Sequence, residues 1–200
     1  SVHELPQGAV IGTTSLRRRM ELKLLRPDIK LKDLRGNINT RIAKLKAGEY
    51  DAIILAATGV QKLQIEHEVN YFSPIAVEDM IPSMGQATLG IETLDNPKLV
   101  ELLSVLHDQN ALIESTIERD FVRTLEGGCQ VPIGVKATLL EDKTIDIRAI
   151  VGMPDGSEYI KEEINIDIKD YANAGQNLAQ TFIKKGAKEL LKRAEQVAFQ

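Results

Sequence analysis

The sequence predicts an α/β fold in two parts, a parallel-sheet domain followed by a small α+β domain with a three-stranded antiparallel sheet and helices. Short apolar strands alternate with helical patterns over the first third of the chain, and this alternation breaks after Asn70. Three segments of alternating apolar and polar residues then follow one another between residues 134 and 166. Strands that alternate with helices favour a parallel sheet, whereas consecutive strands favour an antiparallel one.

The first domain is predicted from three pairs of a strand and a helix. The predicted strands are residues 9–13, 29–34 and 51–57. Ser15 or Thr14 is a suitable N-cap for the first helix, and Asn37 for the second. Pro27 is expected to end the first of these helices and Gly48 to close the second.

The second domain is predicted as a helix, three strands and a helix. A helical pattern covers residues 97–125, with a break near 108–110, and Gly127 is expected to end it in the left-handed conformation. The predicted strands are 134–140, 144–153 and 158–166, with a hairpin turn at 154–157. One final helix is predicted from about Ala172 to Ala194. Residues 1–80 and 108–200 therefore form the two predicted domains, and 81–107 connect them.

The composition excludes several classes of protein. It is 43% hydrophobic and 27% charged, as in an ordinary soluble domain. No apolar run approaches the roughly 20 residues that cross a bilayer, and no signal peptide is recognisable, so a cytoplasmic protein without a membrane partner is expected. The single cysteine permits no internal disulfide, and with only three histidines it gives no zinc-ligand spacing, so no metal is expected.

Positive charge is concentrated between residues 16 and 46. This stretch has eleven Lys or Arg against three acidic residues, a local charge of +8 in a chain of net charge −4. Such a patch indicates an anionic ligand, and a solvated helix face is the alternative. The stretch has no Phe, Tyr or Trp for bases to stack on, so nucleic acid is not an expected partner.

Four arginines are predicted near helix starts, where a cation is locally unfavourable by a few tenths of a kcal/mol. They are Arg17, Arg18, Arg35 and Arg41. The starts of helices in an open parallel sheet lie at the carboxyl ends of the strands, which is the usual ligand crevice. Together with the hydroxyls of Thr13, Thr14 and Ser15, these arginines predict a site for several carboxylates or phosphates.

The stretch LEGGCQVPIG holds the only cysteine, Cys129. A free cysteine is most often a small buried hydrophobic residue. Two glycines before it give the backbone freedom, and Gly128 allows a bulky group to approach closely. No histidine lies near it in sequence to act as a base, so an attachment point is favoured over a nucleophile.

Five stretches carry a resemblance to a known family. ERDFVRTLEGGCQVPIG closely resembles the cofactor-attachment motif of the porphobilinogen deaminase (hydroxymethylbilane synthase) family. The others are GTTSLRR, LRGNINTRIAKL, GEYDAIILA and PSMGQATLGIE, so that the resemblance covers nearly the whole chain. It departs where Lys62 replaces the usual arginine and where GQAT replaces GQGA.

The resemblance implies a transferase of tetrapyrrole and heme biosynthesis that polymerises four porphobilinogen units into hydroxymethylbilane and releases ammonia. It implies a monomeric enzyme of three domains, the first two similar to periplasmic binding proteins and the third carrying a dipyrromethane cofactor on Cys129. The implied cofactor-binding residues are Cys129, Thr13, Ser15, Arg17, Arg18, Arg35, Gly36, Arg41 and Gly128. The implied substrate-binding residues are Arg17, Arg35, Arg41, Lys62 and Gln86.

The resemblance also implies that the first domain, with the catalytic aspartate, precedes these residues. The chain is therefore expected to be the carboxyl-terminal two-thirds of the enzyme, with no catalytic residue of its own, and to be inactive without its first domain as a partner. Residues 85–94 are expected to lack their native strand partners, and the four arginines to face solvent. The alternative is a non-catalytic anion- or partner-binding module that reuses these two domains.

Overall fold

The first lobe is built around a parallel sheet, as predicted. The computed structural model describes residues 1–127 and 131–198. The strands run in the order β2-β1-β3 and are β1 (Val10–Gly12), β2 (Lys30–Lys32) and β3 (Ala52–Ile53). A helix follows each strand, namely α1 (Leu16–Leu25), α2 (Ile38–Lys46) and α3 (Ala57–Lys62). The sheet and α1 bury Ile11, Leu22 and Ile29 completely.

The strands of this sheet are shorter than predicted, because parallel pairing covers only two or three residues of each. Sheet-like hydrogen bonds extend one residue further: Thr13 N donates to Lys32 O at 3.0 Å, and Ile54 N donates to Gly12 O at 3.2 Å. The predicted caps are confirmed. Ser15 caps α1 through its side chain and Asn37 caps α2, and Gly48 has φ +76° after the end of α2.

The second lobe has an antiparallel sheet covered by helices. Its strands run in the order β4-β5-β6 and are β4 (Ile133–Leu139), β5 (Thr144–Gly152) and β6 (Tyr159–Asp167). The connecting stretch holds α4 (Pro97–Leu103), which buries none of its residues. The helices over the sheet are α5 (Gln109–Thr124), α6 (Tyr171–Lys184) and α7 (Ala187–Ala198). Phe121 and Phe182 meet edge to face at 5.0 Å in a core that their helices and the sheet share.

The predicted break in the long helical pattern is confirmed. Asp108 accepts hydrogen bonds from Asn110 N and Ala111 N and so caps α5. The prediction of one final helix is wrong, because α6 ends at Lys184 and α7 begins at Ala187. Gly186 lies between them with φ +93°, a left-handed conformation that ends a helix.

The end of α5 also differs from the prediction. Glu126, with φ +59°, takes the left-handed position that was expected at Gly127. Glu126 N donates to Arg123 O and Gly127 N to Val122 O, the two bonds of a Schellman motif. A β-carbon at Gly127 would lie 2.3 Å from the terminal methyl group of Ile133, so that side chain would have to shift.

The two lobes are joined through residues 80–82. Ile81 packs with Met20 of α1 and Ile150 of β5, and Pro82 O accepts a hydrogen bond from Val135 N at 2.9 Å. The segment from Gly85 to Leu94, which was expected to lack strand partners, forms no helix or strand. Every helix within residues 1–127 and 131–198 is too short or too polar to span a bilayer.

Candidate functional site

A cleft of about 610 Å³ lies between the carboxyl ends of the first sheet and the second lobe. The first lobe contributes Thr13, Thr14, Ser15, Leu16, Arg17, Arg18, Leu34, Arg41 and Ile54 to its wall. The connecting segment contributes Ser83 and Met84, and the second lobe Val122, Gly127, Val131 and Ile133. The cleft therefore has a cationic, hydroxyl-rich wall on one side and an apolar wall on the other.

The hydroxyl groups of the wall belong to the turn between β1 and α1. Thr13 Oγ1 accepts a hydrogen bond from Ser15 N at 3.2 Å, and Ser15 Oγ accepts one from Arg18 N at 3.4 Å. Thr14 Oγ1 donates to Leu34 O at 3.4 Å. These bonds fix the turn so that the amino-terminal end of α1 faces the cleft. The unpaired N–H groups and the polarity of the helix favour anions at this end.

Arg18 and Arg41 supply positive charge that no carboxylate in residues 1–127 or 131–198 neutralises by an ion pair. Each is held by a carbonyl: Arg18 Nη1 donates to Ile54 O at 2.9 Å, and Arg41 Nε donates to Gly36 O at 2.8 Å. Burial, together with the positive charges of Arg17 and Arg41, lowers the pKa of Arg18 to about 10. Two neighbouring guanidinium groups are thus available to anions.

Arg17 lines the cleft as predicted, but its side chain is only 8% exposed, whereas the sequence predicted that it would face solvent. Its Nη1 donates to Glu21 Oε2 at 2.7 Å and to Ile81 O at 2.5 Å. Glu21 Oε1 in turn accepts a hydrogen bond from Ile81 N at 2.5 Å. Arg17, Glu21 and the peptide of Ile81 form a closed ring that fastens α1 to the junction of the lobes.

Burial also changes the titration of Glu21, whose side chain is 3% exposed. It raises the pKa of this carboxyl to about 7, and the charge of Arg17 and the hydrogen bond from Ile81 N only partly offset that effect. A raised pKa means that protonated Glu21 stabilises the fold below its ordinary value of 4.5, and this contribution is lost as the pH rises through about 7.

The cleft brings together five of the predicted site residues: Thr13, Ser15, Arg17, Arg18 and Arg41. Four others do not line it, namely Arg35, Gly36, Lys62 and Gln86. Arg35 and Lys62 are exposed, and Gly36 touches the cleft only indirectly, through its carbonyl bond to Arg41. Gly128 and Cys129 lie outside the described residues, so their predicted roles stay predictions.

Sequence reasoning missed Glu21, Ser83 and Met84. Glu21 lies four residues after Arg17, which is the usual spacing for an ion pair on one helix. The sequence alone could therefore have indicated that these two side chains pair. Ser83 and Met84 carry no local signal, because they reach the cleft only through the docking of residues 80–82 against β4. Within the two described ranges, no group of three His, Cys, Asp or Glu side chains is placed to hold a metal ion.

Two family models match this chain. Residues 1–101 match the model described as "Porphobilinogen deaminase, dipyromethane cofactor binding domain", and residues 112–184 match "Porphobilinogen deaminase, C-terminal domain". The first model covers the lobe that supplies the arginines and hydroxyls of the cleft. The second begins in α5 and covers the antiparallel sheet.

Curated relatives agree with both models. A porphobilinogen deaminase of Aliarcobacter butzleri is 73% identical over 199 residues, which is 100% of this chain and 64% of that protein. Those of Campylobacter hominis and Sulfurimonas denitrificans are 54% and 53% identical and cover 99% and 98% of this chain. The chain spans 64% and 62% of the length of these two relatives. From these matches and the geometry of the cleft, we conclude that the chain belongs to the porphobilinogen deaminase family.

Proposed function

We propose that the chain is part of a hydroxymethylbilane synthase, which polymerises four porphobilinogen units into hydroxymethylbilane and releases ammonia. The observation that carries this proposal is the cleft wall in which Arg18 and Arg41, without acidic partners among the described residues, lie beside the hydroxyls of Thr13 to Ser15. The porphobilinogen deaminase names of both family models and of the relatives support it.

The wall fits the chemistry of the cofactor and the substrate. Each pyrrole ring carries an acetate and a propionate, so a dipyrromethane brings four carboxylates into the cleft. Guanidinium groups bind carboxylates through short charge-assisted hydrogen bonds, each worth about 1.5–3 kcal/mol. Arg18 and Arg41 would hold these carboxylates, and Thr13 and Ser15 would orient them, while the apolar wall excludes water from the rings.

Attachment of the cofactor is proposed at Cys129. The nearest described residues before and after Cys129 are Gly127 and Val131, and both line the cleft. A thioether at this position would tether the dipyrromethane, which supplies the chain end to which further pyrroles are added.

Intact mass spectrometry tests attachment and, with it, the proposed function. We define the hybrid protein as this chain joined to the part of the Aliarcobacter butzleri protein that it does not cover. The hybrid is expected to carry a two-ring adduct, and Cys129→Ser is expected to remove both the adduct and the activity. An active hybrid without any adduct would contradict the proposal.

Arg41→Leu in the hybrid is expected to weaken cofactor retention or substrate binding by about 10- to 150-fold, the equivalent of one charge-assisted bond. Its melting temperature should stay nearly unchanged, because Arg41 forms no ion pair in the described chain. Arg35→Leu tests the predicted role of Arg35 in the same way. Lys46→Leu, at the opposite end of α2, is the control and should leave both quantities unchanged. A large loss of stability in Arg41→Leu would mean that this residue is structural.

The proposal extends to the activity of the chain alone, its partners, its location and its oligomeric state. The chain alone is proposed to be inactive, since no carboxylate lines the described part of the cleft. Ammonia loss develops positive charge on a pyrrole, which a nearby carboxylate has to stabilise. Porphobilinogen and polypyrrole intermediates are the proposed partners. A cytoplasmic location and a monomeric enzyme stay predictions.

A further inference from the structure

The ring of Arg17, Glu21 and Ile81 shares one of its members with the cleft. Arg17 lines the cleft wall, whereas Glu21 does not. Among the described residues, every hydrogen bond of the Arg17 side chain starts from Nη1, and none starts from Nε or Nη2. No fully buried side-chain nitrogen or oxygen in this part of the chain lacks a hydrogen-bond partner, so Nε and Nη2 are not sealed off from the solvent of the cleft. One edge of this guanidinium therefore meets Glu21, and the other is available to a ligand.

Two carboxylates would then compete for a single positive charge. A ligand carboxylate at Arg17 would lie a few ångströms from the carboxylate of Glu21, in a region with little water to screen their repulsion. Proton uptake by one of them relieves this repulsion, as in any pair of carboxylates that share a site. Glu21 is the group that takes the proton, because its side chain is 3% exposed and its charged form already lacks solvation.

We propose that binding of an anionic pyrrole beside Arg17 is accompanied by uptake of one proton from the solvent at Glu21. Glu21 acts through Arg17 as a positioning residue and does not touch the ligand. The inference rests on the proposed function, and it adds a regulation by pH to that same cleft.

The sign of the pH dependence follows from the groups around Glu21. Arg17 and Arg18 of α1 and Lys161 of β6 are the charged groups that act on it, and Ile81 contributes its amide. Of these groups, Glu21 is the one whose pKa is shifted to about 7, so we expect its charge to change between pH 6 and 8. At the lower pH, protonated Glu21 leaves the charge of Arg17 uncompensated. Ligand affinity should therefore fall as the pH rises through about 7.

Calorimetry with porphobilinogen as the probe tests the proposal on this 200-residue chain, which is expected to bind without turnover. The carboxyls and the amine of the probe titrate outside pH 6–8, as such groups ordinarily do. Binding should be about tenfold tighter at pH 6 than at pH 8, as linkage to a single proton allows. Two buffers of different ionisation enthalpy, both free of phosphate and carboxylate, should report uptake of about half a proton or more per ligand near pH 7.5.

Variants separate Glu21 from other sources of pH dependence. Glu21→Gln should bind equally at both pH values and take up no proton. Glu114→Gln is the matched control, because Glu114 pairs with Lys136 away from the cleft and its variant should behave like the wild type. If Glu21→Gln does not fold, the proton uptake measured for the wild type by itself decides whether the proposal holds.

The possible outcomes distinguish the inference from the proposed function. Binding of porphobilinogen that is independent of pH, without proton uptake, overturns the role of Glu21 and leaves the function in place. Full pH dependence in Glu21→Gln also overturns that role. Absence of porphobilinogen binding at both pH values overturns the inference, whereas the adduct and the activity of the hybrid protein decide the proposed function.

Discussion

A polypeptide of these 200 residues is expected to consume no porphobilinogen by itself. Its cleft has cations and hydroxyls to hold carboxylates, but the described wall has no carboxylate to stabilise a positively charged pyrrole. Such electrostatic stabilisation of a developing charge is usually the largest single contribution to catalysis. The relatives are longer, and this chain spans 64% of the Aliarcobacter butzleri protein. We expect the complementary carboxylate to lie in the part that it does not cover.

Porphobilinogen consumption by the purified chain is the measurement. The assay is repeated after addition of the uncovered part of the Aliarcobacter butzleri protein, and with the hybrid protein as the positive control. Turnover by the hybrid but not by the chain alone is the expected result. Turnover by the chain alone would show that its own residues supply the catalytic group.

Arg17→Leu is expected to lower the free energy of unfolding of the chain by about 3–5 kcal/mol, because it leaves the Glu21 carboxylate buried without its partner. It also removes the donor to Ile81 O at the junction of the lobes. For a chain of this size, the loss corresponds to a fall in melting temperature of about 6–20 °C. Urea denaturation measures the free energy of unfolding, and thermal denaturation measures the melting temperature, both followed by circular dichroism.

Arg19→Leu is the matched control, since Arg19 lies on the same helix in an ion pair with Asp33 whose side chains are 27% and 59% exposed. An exposed pair contributes about 0–1 kcal/mol, so this variant should be nearly as stable as the wild type. The double variant Arg17→Leu/Glu21→Leu should recover part of the lost stability, because it removes the unpaired charge. Equal stability of Arg17→Leu and Arg19→Leu would show that the ring contributes nothing to the junction.

Local signals predicted most of the helices and strands. Ser15, Asn37 and Asp108 cap helices through their own side chains, so their effect depends on only a few neighbouring residues. The end of α6 carried a local signal as well, in Gly186, but the apolar pattern continues on both sides of it. A periodic pattern is therefore a weak guide to where one helix ends and the next begins.

The sequence by itself determined the alternation of strands and helices, the caps, and the gathering of arginines and hydroxyls at one edge of the parallel sheet. Each depends on residue order and on the direction of parallel strands. Only the tertiary structure decided which arginine faces which neighbour. Arg17 and Arg18 are adjacent and therefore point about 100° apart around α1. Because Ile81 docks against one side of that helix, Arg17 is buried with Glu21, whereas Arg18 donates to Ile54 O across the cleft wall.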